Sequence, residues 1–339
     1  MPLPADLPPS LGDASPGAAP HWLSRMGIGL GLGLLTFLAF GLWADVDRLG
    51  DAASSFAWAW MVPVLLLSLG NYGLRFLRWQ VYLRATGIRI PAGYSAGVFA
   101  SGLAMSVTPG KLGELLKALL LRDGAGVSAA RSFPVVVTER LADLVAVLAL
   151  AGAGLSLGLG SPGVLLAGAG LTAAMFLVLA TGPGTRLTFR AFALLARRKL
   201  PQAAFEEARE AQRRLWAPAP MIAGILLGML AWFAEAAGLF VVVRAFPDGA
   251  LGLAPATFIY AVGTLAGALS FLPGGLLATE ATLAVMLAAQ GFPGVDPATG
   301  DALAVASTLL IRLATLWFAV AIGGLGLLWL SARRKASRS

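Results

Sequence analysis

The chain has 339 residues, 58% hydrophobic and only 12% charged, about half the charged share of a soluble domain, so the bilayer is its expected solvent. It has no cysteine and one histidine, His21, which excludes disulfides, thiol nucleophiles, Cys/His metal sites and histidine triads, and no cofactor is expected. The formal charge of +8 sits in short loops between apolar stretches, the pattern of topology determinants, so nucleic acid is not an expected partner.

Residues 1–22 open the chain with prolines at 2, 4, 8, 9, 16 and 20, two aspartates and no basic residue, which predicts a disordered tail and not a signal peptide. A single polytopic membrane domain is expected over residues 23–331, followed by a basic tail at 332–339. Six stretches approach the roughly 20 residues of helix that a hydrocarbon core requires: Met26–Trp43, Phe56–Leu74, Phe133–Leu155, Val164–Thr181, Met221–Val243 and Ala302–Leu330. Two more apolar regions, Ala96–Leu121 and Ala256–Ala289, are interrupted by Pro109-Gly110 and Pro273-Gly274. Proline removes a backbone donor and clashes with the preceding turn, so each region is expected to be two short helices meeting at a break. The predicted fold is an all-α integral membrane protein with about six spanning helices and two Pro-Gly-broken re-entrant hairpins; two full spans apiece are the alternative.

Loop charge orients this map. Arg75, Arg78, Arg84 and Arg89 follow the second stretch, the loop over 183–218 is strongly basic, and Arg333, Arg334, Lys335 and Arg338 end the chain. Asp45, Asp47, Asp51, Asp248, Asp296 and Asp301 lie in the opposite loops. The positive-inside rule then puts both termini in the cytoplasm. Within the basic loop, RAFALLARRKL and EEAREAQRRL interleave basic and apolar residues at helical spacing, which suits an interfacial helix on anionic lipid or a partner-binding helix.

The two broken regions share S-x-x-P-G-x-L, at Ser106–Leu112 and Ser270–Leu276, and each is followed by a second match, Arg140-Leu-Ala-Asp143-Leu and Arg312-Leu-Ala-Thr315-Leu. With the charge-derived orientation, one hairpin enters from each side. The repeats, about 56–158 and 219–331, would then be inverted, a transporter architecture in which two copies of one unit exchange inward-open and outward-open shapes.

Ionisable groups at depth are functional candidates by default. Arg140 lies about nine residues, or roughly 13 Å of helix, from one end of its span, and Arg312 lies about as far from the other end of its own. Guanidinium groups at mirrored depths suit successive handling of an anionic headgroup. The alternative is that both tie helices together through Glu139, Asp143 and Glu235. Helices starting after Pro109-Gly110 and Pro273-Gly274-Gly275 would aim free N–H groups at the cavity, an anion site that Lys111 strengthens. Glu114 or Glu280 would pair with an arginine or carry a coupling proton, while Lys117 and Arg122 read as markers of the cytoplasmic edge.

At NYGLRFLRWQ, TPGKLGELLKALLLR, VVTERLAD and SFLPGGLLATEA, the chain resembles the membrane region of the lysylphosphatidylglycerol synthases and their stand-alone homologues, from about Leu30 to Leu330. That resemblance implies Pro109, Gly110, Lys111, Glu114, Glu139, Arg140, Asp143, Pro273, Gly274, Gly275, Glu280 and Arg312 as the functional set. It also implies movement of an aminoacylated phospholipid between leaflets, other members being tied to hopanoid or lipid-linked sugar pathways. The soluble transferase domain of the synthases is absent from these 339 residues, so lysyl transfer is not expected; a separately encoded transferase is an expected partner beside the membrane lipids. The expected function is translocation of an anionic phospholipid or lipid-linked intermediate across the bacterial inner membrane, coupled downhill or to an ion gradient because no P-loop is present. The rivals are a membrane transferase with Glu139, Asp143 or Glu280 as base, and a non-transporting accessory subunit.

Overall fold

The computed structural model describes residues 46–108, 114–159, 162–181, 183–184, 186–187, 190–191 and 202–336. The expected span Met26–Trp43, the break residues Pro109, Gly110 and Lys111, and most of RAFALLARRKL lie outside them. The described chain is helical throughout, with no strand.

Numbered in chain order, the described helices are α1 (Val46–Ser55), α2 (Met61–Ala85), α3 (Ala92–Ala104), α4 (Leu116–Ala125), α5 (Ala129–Ser156), α6 (Gly163–Ala180), α7 (Gln202–Leu215), α8 (Pro218–Arg244), α9 (Leu253–Leu269), α10 (Ala278–Gln290), α11 (Pro297–Arg312) and α12 (Phe318–Ala336). Their ends follow local chemistry. Ser128 caps α5 by accepting from the Ala130 N–H at 3.1 Å, Asp296 caps α11 through the Thr299 N–H at 3.2 Å, and α4 stops at Gly126 in the left-handed conformation that glycine adopts without strain. Among the described residues, three helical stretches are long and apolar enough to cross a membrane: Trp58–Ala85, Pro218–Arg244 and Pro297–Arg333. The last joins α11 to α12 through a π-helical turn at Leu313–Trp317, directly after Arg312. Leu66, Leu77, Ile222, Leu226, Leu325 and Leu328 are exposed on these stretches, as lipid-facing residues should be, and exposed Trp58 and Trp60 precede α2, where interfacial aromatics collect.

The bounds expected for the second stretch need correction. The second stretch does not end at Leu74: α2 runs 25 residues to Ala85, so Arg75 and Arg78 lie inside the helix and are buried, at 6% and 0% exposure. A hydropathy window stops at charge, whereas carboxylates from other helices meet these two guanidiniums and let the helix continue.

Small residues set the close approaches, as is usual where helices pack in lipid. Helices α2 and α8 run antiparallel: a Cβ at Gly224 would overlap the Tyr82 hydroxyl, one at Gly228 would lie 2.9 Å from Arg78 Nη1, and one at Gly238 would lie 3.7 Å from Val64. The Asn71 amide crosses between them to the Ala231 carbonyl at 2.8 Å. Both broken regions fold back as antiparallel helix pairs. In α3/α4, Gly102 receives the Lys117 stem and the Tyr94 hydroxyl donates to the Leu120 carbonyl at 2.7 Å. In α9/α10, Gly263 faces Leu283 and Gly267 faces Thr279. The arms α9 and α10 have 17 and 13 residues, roughly 26 and 20 Å of helix, shorter than a hydrocarbon core of about 30 Å.

The two halves are interleaved. Helix α3 of the first packs along α12 of the second, and α9 of the second packs along α5 of the first. At the α3/α12 contact a Cβ on Gly323 would lie 2.0 Å from the Ala104 backbone nitrogen, and backbone has little room to retreat. Gly323→Val should therefore destabilise the protein by about 1–3 kcal/mol or more. Gly324→Ala, with open space around its Cβ position, should leave the melting temperature in detergent nearly unchanged. Equal melting temperatures for the two variants would contradict this packing.

Candidate functional site

The turn that closes α3, just before the first break, packs against the second break. The 3-10 turn Met105–Val107 ends α3, Pro273–Gly275 forms the corresponding turn after α9, and a Cβ on Gly274 would lie 3.4 Å from the Val107 Cα. Val107, Leu276, Leu316 and Val320 form a small apolar cluster beside this contact. The second break holds four residues at positive φ: Phe271 at 53°, Gly274 at 63°, Gly275 at 67° and Leu277 at 69°. The two glycines adopt it freely, whereas Phe271 and Leu277 are strained by about 1–3 kcal/mol each.

Around the first break, four helices bring a network of charges together. Arg78 Nη1 on α2 lies 2.7 Å from Asp143 Oδ1 on α5, and Trp232 Nε1 on α8 donates to the same oxygen at 3.1 Å. Arg140 bridges Glu114 and Asp143, each at 3.1 Å. Lys117 on α4 donates to Glu139 at 2.6 Å and lies 3.4 Å from Glu114, with its ammonium 4.8 Å from the Trp79 ring centroid and 5.6 Å from that of Phe99. Arg75 lies 3.8 Å from Glu114. The Arg140–Asp143 pair that i,i+3 spacing allows is therefore formed, but Arg140 reaches Glu114 and not Glu139. Lys117 does not mark an edge: it is 2% exposed and neutralises Glu139. Arg122, by contrast, is partly exposed and pairs with its neighbour Asp123 at 2.6 Å.

The second break has a simpler network. Arg312 Nε donates to Glu280 Oε1 at 2.5 Å and Nη2 donates to the Gly274 carbonyl at 2.9 Å. Glu280 thus pairs with an arginine, one of the two roles its sequence position allowed, and Arg312 is tied through it. Glu235 instead accepts from the Tyr260 hydroxyl at 2.7 Å. The expectation that helix N–H groups follow directly on Pro273-Gly274 also fails: α10 starts only at Ala278, and the break presents the Gly274 carbonyl to the guanidinium.

Both networks open onto one cavity of about 600 Å³. Arg75, Arg140 and Asp143 line it from the first, Arg312, Gly274 and Glu235 from the second, and Leu144, Val147, Leu171 and Met175 give it an apolar wall. Polar groups converging in an otherwise apolar cleft of this size are the common form of a ligand site. Among the described residues there is no cluster of carboxylates and imidazoles that could hold a metal ion.

Sequence reasoning missed Arg75, Arg78, Tyr72, Trp232 and Tyr260. The available signal for the first two was their i,i+4 spacing, Arg75 with Asn71 and Trp79 and Arg78 with Tyr82, along one helix, which puts a polar and aromatic stripe on a single face.

A family model described as "Lysylphosphatidylglycerol synthase TM region" matches residues 28–323. A "UPF0104 membrane protein" of Methanothermobacter thermautotrophicus is 24% identical over 329 residues, covering 87% of this chain and 90% of the relative. The match takes in both breaks, both arginine networks and the cavity between them, and this membrane protein belongs to the lysylphosphatidylglycerol synthase TM region family.

Proposed function

We propose that the protein moves an anionic lipid between leaflets, passing the headgroup through the cavity lined by Arg140 and Arg312 while the chains stay along the apolar wall. The observation that carries this reading is the cavity itself: two arginines, the partly buried Arg140 and the buried Arg312, one from each S-x-x-P-G-x-L half, line one space of about 600 Å³ beside the second helix break. A charge inside a bilayer is costly, and groups kept there face a pathway or a site.

The proposed organisation is an inverted repeat, about 56–158 and 219–331, in an inner membrane with both termini cytoplasmic. Antiparallel packing of α2 on α8, two antiparallel hairpins and the reciprocal packing of α3 on α12 and α9 on α5 are what an inverted pair of units produces. Alternating access then amounts to rocking one unit against the other around the cavity. The carboxylates a transferase would use as bases, Glu139, Asp143 and Glu280, each lie within 3.1 Å of a cation. Each is therefore already held in an ion pair, which supports transport over transfer chemistry.

The test is reconstitution of purified protein in liposomes with acyl-labelled phosphatidylglycerol and phosphatidylcholine, reading leaflet exchange by quenching of the outer label. Protein-dependent exchange of the anionic lipid, faster than that of the zwitterionic one, is expected. Exchange no faster than in protein-free liposomes would refute the proposal.

A further inference from the structure

The two halves meet along α2 and α8, and their contacts there are reciprocal. Arg84 and Arg244 stand in the last turns of these helices. Aligning them shifts α2 onto α8 by 160 residues, so Asn71 corresponds to Ala231, the residue whose carbonyl its amide meets at 2.8 Å. Residues meet their own counterparts where a two-fold axis crosses an antiparallel pair, because such an axis makes every contact reciprocal. The next position along each helix is Tyr72 in α2 and Trp232 in α8, both buried and both lining the cavity. The Tyr72 hydroxyl donates to the Thr315 carbonyl at 2.6 Å, and Trp232 Nε1 donates to Asp143 Oδ1 at 3.1 Å. Thr315 and Asp143 are themselves counterparts, each the third residue after the arginine in Arg-Leu-Ala-x-Leu. Each half therefore reaches across with one aromatic donor and holds the arginine-bearing segment of the other.

The two contacts are alike in donor and unlike in acceptor. Thr315 is the central residue of the π-helical turn Leu313–Trp317 and is held by its backbone carbonyl. Asp143 lies in the uninterrupted helix α5 and is held by its side chain. Asp143 also has Arg78 at 2.7 Å and Arg140 at 3.1 Å, so the Trp232 bond is one of three there. A π-helical turn is a rarely populated backbone state, found mostly at functional sites, and here the Tyr72 hydroxyl is bonded to its central carbonyl. Two units related by a two-fold but held in unlike states swap those states when they exchange conformations.

We propose that Tyr72 and Trp232 are a matched pair of positioning residues, each setting the arginine segment of the opposite half. The conformation with a π-helical turn after Arg312 then has a counterpart with that turn after Arg140, in which Trp232 takes over the backbone bond. This rests on the reading of the halves as inverted units around the cavity. Loss of the Tyr72 hydroxyl weakens the conformation described here. Loss of the Trp232 N–H weakens the counterpart more, because Asp143 keeps two cations in this one.

The chain contains no cysteine, so Ala268→Cys places a single thiol on the cavity. Its rate of modification by a charged, membrane-impermeant methanethiosulfonate is measured in right-side-out and in inside-out membrane vesicles, and the ratio of the two rates reports which side the cavity faces. Relative to this reporter alone, Tyr72→Phe should shift the ratio by about twofold to tenfold, the weight of one net hydrogen bond. Trp232→Phe should shift it by a similar factor in the opposite direction, and Trp232→Tyr, which keeps a ring donor, should bring it back toward the starting value. A loss of packing alone has no reason to act with opposite sign at the two positions. Shifts in the same direction, no shift in folded variants, or no recovery in Trp232→Tyr would overturn the proposal. If one Phe variant fails to fold, an unchanged ratio in the other overturns it. Opposite shifts in a protein that exchanges no phosphatidylglycerol would refute the translocase reading and leave the matched pair standing.

Discussion

Arg78→Leu is expected to destabilise the protein by about 3–5 kcal/mol, the usual result of breaking a buried ion pair by removing one partner. Arg78 is wholly buried, and its guanidinium lies 2.7 Å from Asp143. It also sits against Gly228, where a Cβ would be 2.9 Å from Nη1, so the α2/α8 contact is shaped around it. Leucine cannot offset the Asp143 charge, and Arg140 would be left to do so alone from 3.1 Å. The variant should lose its monodisperse peak or melt at a much lower temperature in detergent. Adding Asp143→Asn removes the stranded charge and should restore part of the stability; a double variant no better than Arg78→Leu alone would show that the loss comes from packing and not from charge.

The second large effect separates structure from transport at the other break. Arg312→Ala strands Glu280, which is 0% exposed, and frees the Gly274 carbonyl, so a similar loss of about 3–5 kcal/mol is expected. The double variant Arg312→Ala/Glu280→Gln replaces the stranded charge by a neutral amide and should fold. It should nevertheless move anionic lipid at the protein-free rate, because the guanidinium on the cavity is gone. If the pair were only a structural tie, the double variant would recover transport together with stability.

The membrane class, the helix break at Pro273-Gly274 and several charged partners were legible in the sequence because each has a local physical cause. Pro-Gly interrupts a helix whatever surrounds it, and Arg140 and Asp143 face each other because three residues make nearly one helical turn. The pairs Arg78–Asp143, Lys117–Glu139 and Arg312–Glu280 join residues far apart in the chain. No local pattern encodes which carboxylate reaches which cation. The same gap explains Arg75 and Arg78: read locally they end a span, and only the approach of α4 and α5 makes it possible to bury them. Glu235 was recognised as polar at depth, but its partner Tyr260 looks like ordinary aromatic filling in a one-dimensional reading. The carbonyl that Gly274 offers to Arg312 depends on the backbone turning through positive φ at the break, which the Pro-Gly motif permits but does not dictate.

The most direct test of a headgroup path lined by two arginines is the initial rate of leaflet exchange for acyl-labelled phosphatidylglycerol in liposomes, comparing wild type, Arg140→Ala and Arg312→Ala/Glu280→Gln at equal amounts of folded protein. The account predicts protein-dependent exchange for the wild type and the protein-free rate for both variants. Exchange at the wild-type rate by both variants would contradict it.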